Sequence, residues 1–139
     1  MHTWYGEHGF GALTRCLCGT YDKAIEDAEK AIHLGPLEPF VYHATFALAL
    51  ACFLTDRFEE AVDYARKAIE GNRGFAFSYC VLALACTRLG QREEAAQAVR
   101  RLTAATPSFR IGALRKMRFA DAARVESELA LLRAARLPE

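Results

Sequence analysis

The chain has 139 residues, 53% hydrophobic and 25% charged, with a formal net charge of +1, which is ordinary for a single globular domain. Its longest apolar run, Phe46 to Leu54, falls well short of the roughly 18–20 residues that cross a bilayer, so no membrane span and no membrane partner is expected. The charge is uneven: residues 1–70 hold six Lys/Arg against eleven Asp/Glu, and residues 71–139 hold twelve against six.

An acidic front and a basic back can steer a partner or set copies head to tail; a merely solvated surface gives the same count. At the N-terminus, Met1-His2-Thr3 lacks the basic and apolar regions of a signal peptide. The five cysteines are odd in number and lack disulfide-like spacing. Both features point to a reducing, cytoplasmic setting.

The first stretch, up to about residue 18, reads as a helix weakened by Gly6, Gly9 and Gly11. After the turn Gly19-Thr20-Tyr21, a second helix is predicted from Tyr21 to Leu34, and Pro36 closes it. Gly35-Pro36-Leu37-Glu38-Pro39 is a rigid two-proline connector. The next helix contains Leu48-Ala49-Leu50-Ala51-Cys52, which recurs thirty-four residues later as Leu82-Ala83-Leu84-Ala85-Cys86. Glu59-Glu60-Ala61 recurs at the same offset as Glu93-Glu94-Ala95. A fixed period of this length means stacked copies of one small unit, each too thin to bury its own apolar face.

Ala24, Ala61 and Ala95 align as equivalent positions of the second helix in each unit. Turns precede them at Gly19-Thr20-Tyr21, Asp56-Arg57-Phe58 and Gly90-Gln91-Arg92. Ala28 and Ala31, Ala65 and Ala68, then Val99 and Leu102 follow at plus four and plus seven, on one helical face where neighbours approach. Between the first two units the offset is thirty-seven, the three extra residues lying in the proline connector. Pro107 closes the third unit. Beyond it, a short helix is predicted from Ser108, its N-cap, to Met117, bent near Gly112. A last helix runs from the cap Asp121 to about Arg136, with an apolar stripe of Val125, Leu129 and Leu132 suited to closing the stack.

This pattern resembles the tetratricopeptide repeat, in which W-x2-L-G-x2-Y, A-x3-F and a final P mark one helix–turn–helix unit. Tyr79, Leu82-Ala83, Gly90, Ala95 and Pro107 carry the likeness in the third unit. Leu48-Ala49, Phe58, Ala61 and Ala68 carry it in the second, where Arg73 stands in place of the closing proline. The resemblance implies an all-α, right-handed solenoid: repeats at about 5–37, 40–73 and 76–107, and a C-terminal cap over 108–139. Leu34 to Phe40 and the ending Leu132 to Glu139 are also similar to tetratricopeptide segments at the C-terminus of bacterial class III adenylate/guanylate cyclases and related regulators. That likeness implies that Glu139 is a natural terminus, that Met1 is an internal start, and that a missing N-terminal domain is a candidate partner.

Little suggests catalysis. Cys52 and Cys86 share a mid-helix position that wants a small apolar side chain. Cys16 and Cys18 point to different helix faces, Cys80 and Cys86 share a face poorly, and no paired C-x2-C exists, so no metal site is expected. His2, His8, His33 and His43 lack ligand spacing. No nucleophile motif or phosphate loop is present, no cofactor is implied, and Glu59-Glu60 and Glu93-Glu94 serve helix N-termini. Arg110, Arg115, Lys116 and Arg118, near Phe109 and Phe119, form a basic stretch without a nucleic-acid motif.

The groove is what remains. By resemblance, the first helix of each unit lines the concave side. Inward positions then fall at His43, Phe46, Leu50, Phe53 and Leu54 in the second unit and at Phe77, Cys80, Leu84, Thr87 and Arg88 in the third. Relatives that grip a C-terminal carboxylate use Lys and Asn at positions held here by Gly9 and Leu13, Phe46 and Leu50, and Cys80 and Leu84, so that grip is absent. An apolar groove favours an amphipathic helix. Its occupant is either an external protein or the chain's own C-terminal segment. Phe46, Phe53 and Phe77 are the expected anchors. Pairing of two copies, through Leu13 and Leu17 at the glycine-rich edge, is a third use that the sequence admits.

Overall fold

The computed structural model describes residues 19–37, 39–115 and 122–134. The weak first helix with Gly6, Gly9 and Gly11, the residues Leu13, Cys16, Leu17 and Cys18, the basic residues Lys116 and Arg118, the cap Asp121 and the tail beyond Ala134 lie outside them.

Seven helices are described and, among these residues, no strand. They are α1 (Tyr21–Leu34), α2 (Val41–Leu54), α3 (Phe58–Gly71), α4 (Ala76–Arg88), α5 (Arg92–Ala105), α6 (Gly112–Arg115) and α7 (Ala122–Ala134). Two kinds of helix alternate. In α2 every residue from Ala44 to Phe53 is buried, and in α4 every residue from Ser78 to Cys86. Both are apolar all round, and such helices form only where neighbours cover every side. The others show one buried stripe at helical spacing: Ala24, Asp27, Ala28 and Ala31 in α1, Ala61, Val62, Ala65, Ala68 and Ile69 in α3, and Ala95, Ala98, Val99 and Leu102 in α5. Alanine on that stripe lets the backbones approach closely, and Glu59-Glu60 and Glu93-Glu94 sit in the first turns, where acids complement the helix dipole.

The hairpin turns repeat as faithfully as the helices. Gly19, Asp56 and Gly90 hold equivalent positions, and each has a left-handed φ, of 88°, 64° and 80° respectively. After α2, the Arg57 N–H donates to the Cys52 carbonyl at 2.8 Å and the Asp56 N–H to the Phe53 carbonyl at 3.1 Å. After α4, Gln91 donates to Cys86 at 2.8 Å and Gly90 to Thr87 at 3.1 Å. This paired closure satisfies the last carbonyls of the helix and requires the left-handed residue. It sends α3 and α5 back along the helices before them.

Each helix packs on its successor from α1 to α5, and α2 also packs directly on α4. No comparable packing joins α3 to α5. The row α2–α4 is therefore the tighter, inner side of the stack. A continuous interior follows, with Phe46, Phe53 and Leu102 among its largest buried side chains. Burying each is worth about 1.5–3 kcal/mol.

The end of the chain departs from expectation in detail. The predicted helix from Ser108 begins only at Gly112. Ser108 lies in an exposed turn where the Phe109 N–H donates to the Thr106 carbonyl. Phe109 turns its ring onto Phe77, with centroids 5.6 Å apart, and Ile111 is buried. Seating these two side chains takes an irregular backbone before the helix starts.

Candidate interaction face

All ten positions expected to line a groove fall in the two helices of the row α2–α4. Their exposure differs sharply. Phe46 and Cys80 are 1% exposed, and Leu50, Phe53 and Leu84 are also buried. His43, Leu54, Phe77 and Thr87 are half-buried, and Arg88 is exposed. The side chains expected to be the strongest anchors, Phe46 and Phe53, are thus covered. The accessible part of the row lies at its margins.

One margin is aromatic. Phe75 meets Tyr42 at 5.3 Å, Phe46 at 5.1 Å and Phe77 at 5.5 Å between ring centroids, and Phe77 passes the contact on to Phe109. The rings meet at steep angles, the edge-to-face geometry that aromatic pairs prefer. His43 joins this cluster, 6.1 Å from Phe75 and 6.2 Å from Tyr42. Sequence reasoning missed Tyr42, Phe75 and Phe109. The available signal was the recurrence of Phe75 as Phe109 at the repeat offset.

The other margin is charged and already occupied. Helix α7 packs on α4, an inner-row helix, and not to any comparable degree on α5, the last long helix before it. Glu128, Leu129 and Leu132 are buried beneath it. The Arg88 guanidinium donates a hydrogen bond to the Glu128 carboxylate, so an expected groove residue is held by the chain's own last helix. Glu128 is only 5% exposed, while a good part of the Arg88 side chain still meets water. A carboxylate desolvated this far needs a close cationic partner, and Arg88 supplies it. Glu128 was also missed; the clue was a lone acid beside Leu129 on an otherwise apolar stripe.

The remaining chemistry is structural. Cys52, Cys80 and Cys86 are buried free thiols, and burial pushes the pKa of all three up. That is the reverse of what a reactive thiol requires. Among the described residues no cluster of His, Cys, Asp and Glu could hold a metal. No helix among them is long and apolar enough to cross a membrane. Arg110 donates to the carbonyls of Pro107 and Phe109 and so braces the turn before α6.

Paired helices stacked with translational kinship define a helical-repeat solenoid. The repeat itself is specified further by a family model of the tetratricopeptide repeat, which matches residues 42–73 and 78–109. The crystal structure of MamA superposes with a TM-score of 0.67 over 95% of this chain and 78% of that one, at 20% identity, a likeness of fold alone. No curated protein matches the chain. The chain therefore carries tetratricopeptide repeats and folds as an all-α tetratricopeptide solenoid. Folds of this class generally serve as non-enzymatic scaffolds for protein–protein interaction.

Proposed function

We propose that the chain is a cytoplasmic interaction scaffold whose inner face, the row α2–α4, holds a helical segment of a protein partner. The observation that carries this reading is α7 itself: a helix seated on α4, with Leu129 and Leu132 buried and Glu128 on Arg88. The affinity would come from apolar burial, with Arg88 and the aromatic margin setting orientation. The likeness of the connector and tail to cyclase-associated repeats supports a place beside a signalling domain in a larger protein, with no activity of its own.

A photoreactive side chain placed at Thr87 on the inner row, and separately at Arg100 on the outer face, tests the reading. Cross-linking of a partner protein from Thr87 and not from Arg100 is expected. Equal capture from both positions contradicts it.

A second reading, pairing of two copies, is favoured by the connector between α1 and α2. Leu37 is 96% exposed and Phe40 61%, with Leu34 beside them, an apolar patch of the kind that marks association. Sedimentation as a monomer at high concentration would dismiss it.

A further inference from the structure

We propose that α7 is a displaceable plug, and that the site beneath it takes an incoming helical segment with a carboxylate followed by leucine at the next position and again three residues later. This rests on the inner-face reading above and names the partner's chemistry. The residues that define the code are those of the plug: α7 packs on α4, its Glu128, Leu129 and Leu132 are buried and Glu128 pairs with Arg88, while Glu126, Ser127, Ala130, Arg133 and Ala134 are exposed. Two leucines and one carboxylate therefore make the seat, and a segment bearing the same three groups can fill it.

The seat is selective because of Arg88. A helix that covers Arg88 without bringing a carboxylate strips water from the guanidinium and returns no hydrogen bond, a cost that rejects wrong partners. The seat is also reversible. Among the described helices, α7 has only α4 as a substantial partner, whereas α4 itself packs on α2, α3 and α5 as well. Elements with few buried contacts open well before the core of a domain does. The ion pair adds little net holding power, because the desolvation of Glu128 offsets much of its attraction to Arg88. An external segment therefore competes with an occupant of the same kind. The apparent affinity of the site is lowered by the fraction of time that α7 sits there.

The probe is a fluorescent peptide with the sequence of residues 122–134, titrated into the full chain. Double substitution Leu129→Asp and Leu132→Asp undocks the plug and leaves the inner row untouched. The peptide is expected to bind this variant at least about tenfold more tightly than the unaltered chain. Adding Arg88→Glu should weaken binding about tenfold, and a peptide with Arg in place of Glu128 should recover it. Equal binding to the unaltered and undocked chains overturns the plug. Indifference to Arg88→Glu overturns the carboxylate code. If the double variant does not fold, Glu128→Arg alone loosens the plug without placing acids against the core, and the same gain in peptide binding is required of it. None of these outcomes depends on the cross-linking contrast between Thr87 and Arg100, so failure of the plug is distinguishable from failure of the inner-face reading.

Discussion

Gly71, the last residue of α3, lies against Tyr42 at the start of α2: a Cβ built on Gly71 would stand 2.8 Å from the Tyr42 Cβ. No flexible side-chain tip is involved, so relief requires the two helices to part. Gly71→Ala gains helix propensity of up to about 1 kcal/mol, but overpacking typically costs 1–3 kcal/mol, roughly the larger effect. The expected outcome is a net loss of about 1 kcal/mol in urea unfolding. Tyr42→Ala keeps the offending Cβ and should not rescue it. Rescue by Tyr42→Ala would mean that the ring, and not the helix spacing, is the obstacle.

The left-handed turn positions make a matched pair of substitutions. Asp56 holds φ 64° where Gly19 and Gly90 hold 88° and 80°. The left-handed conformation costs a residue with a Cβ roughly 1–2 kcal/mol, less for aspartate, whose short side chain tolerates it. Asp56→Gly is therefore expected to be neutral or to stabilise by up to about 1 kcal/mol, and Gly90→Ala to destabilise by about 1 kcal/mol. No atom lies within 4 Å of a Cβ on Gly90, so the cost is conformational and not a clash. Thermal melts of the two variants should move in opposite directions, or only the second should move.

Buried thiols set an alkaline limit on stability. Burial pushes the pKa of Cys80 far up, and burial also raises Cys52 and Cys86. An unfolded cysteine ionises near pH 8.5, approximately its unperturbed value. Below that pH both states keep the proton and nothing is lost. Above it the unfolded chain releases protons that the folded chain retains, so stability falls by about 1.4 kcal/mol per pH unit for each thiol held fully protonated. Urea midpoints should decline between pH 8 and 10, and Cys80→Ala should flatten the decline. An unchanged slope would show that Cys80 contributes nothing.

Phe46 is 1% exposed and packs on Phe75 and Phe77. Phe46→Ala is therefore expected to cost about 3–5 kcal/mol of stability, the range for a buried ring removed from a core. Phe77, half-buried between Phe75 and Phe109, should cost less. Circular dichroism during urea unfolding separates the two. If Phe46→Ala instead leaves stability intact, its ring belongs to an interaction surface and not to the interior.

The periodicity was legible because each repeated unit must bury the same faces. Leu48 to Cys52 and Leu82 to Cys86 lie in all-round buried helices, and Ala24, Ala61 and Ala95 head equivalent stripes. The turns were legible too, since Asp56 and Gly90 align with Gly19 and all adopt one conformation. What period alone does not encode is how the end of the stack is closed. The start of α6 is decided by where Phe109 and Ile111 find cover, which is a tertiary matter. The contact of α7 with α4 pairs Glu128 with Arg88, forty residues away in sequence. The repeat suggests which positions face a groove, but whether another element covers them depends on the whole assembly. That is why Phe46 and Phe53 read as anchors in the sequence and stand covered in the structure.

One interior shared by successive hairpins underlies all of this, and amide hydrogen exchange tests it most directly. Amides of α2 from Phe46 to Phe53 and of α4 from Tyr79 to Cys86 should exchange most slowly, with a common opening free energy, because neither helix can shed its cover without disturbing the other. Opening energies that differ widely between α2 and α4, with each hairpin exchanging independently of its neighbour, would contradict a shared interior.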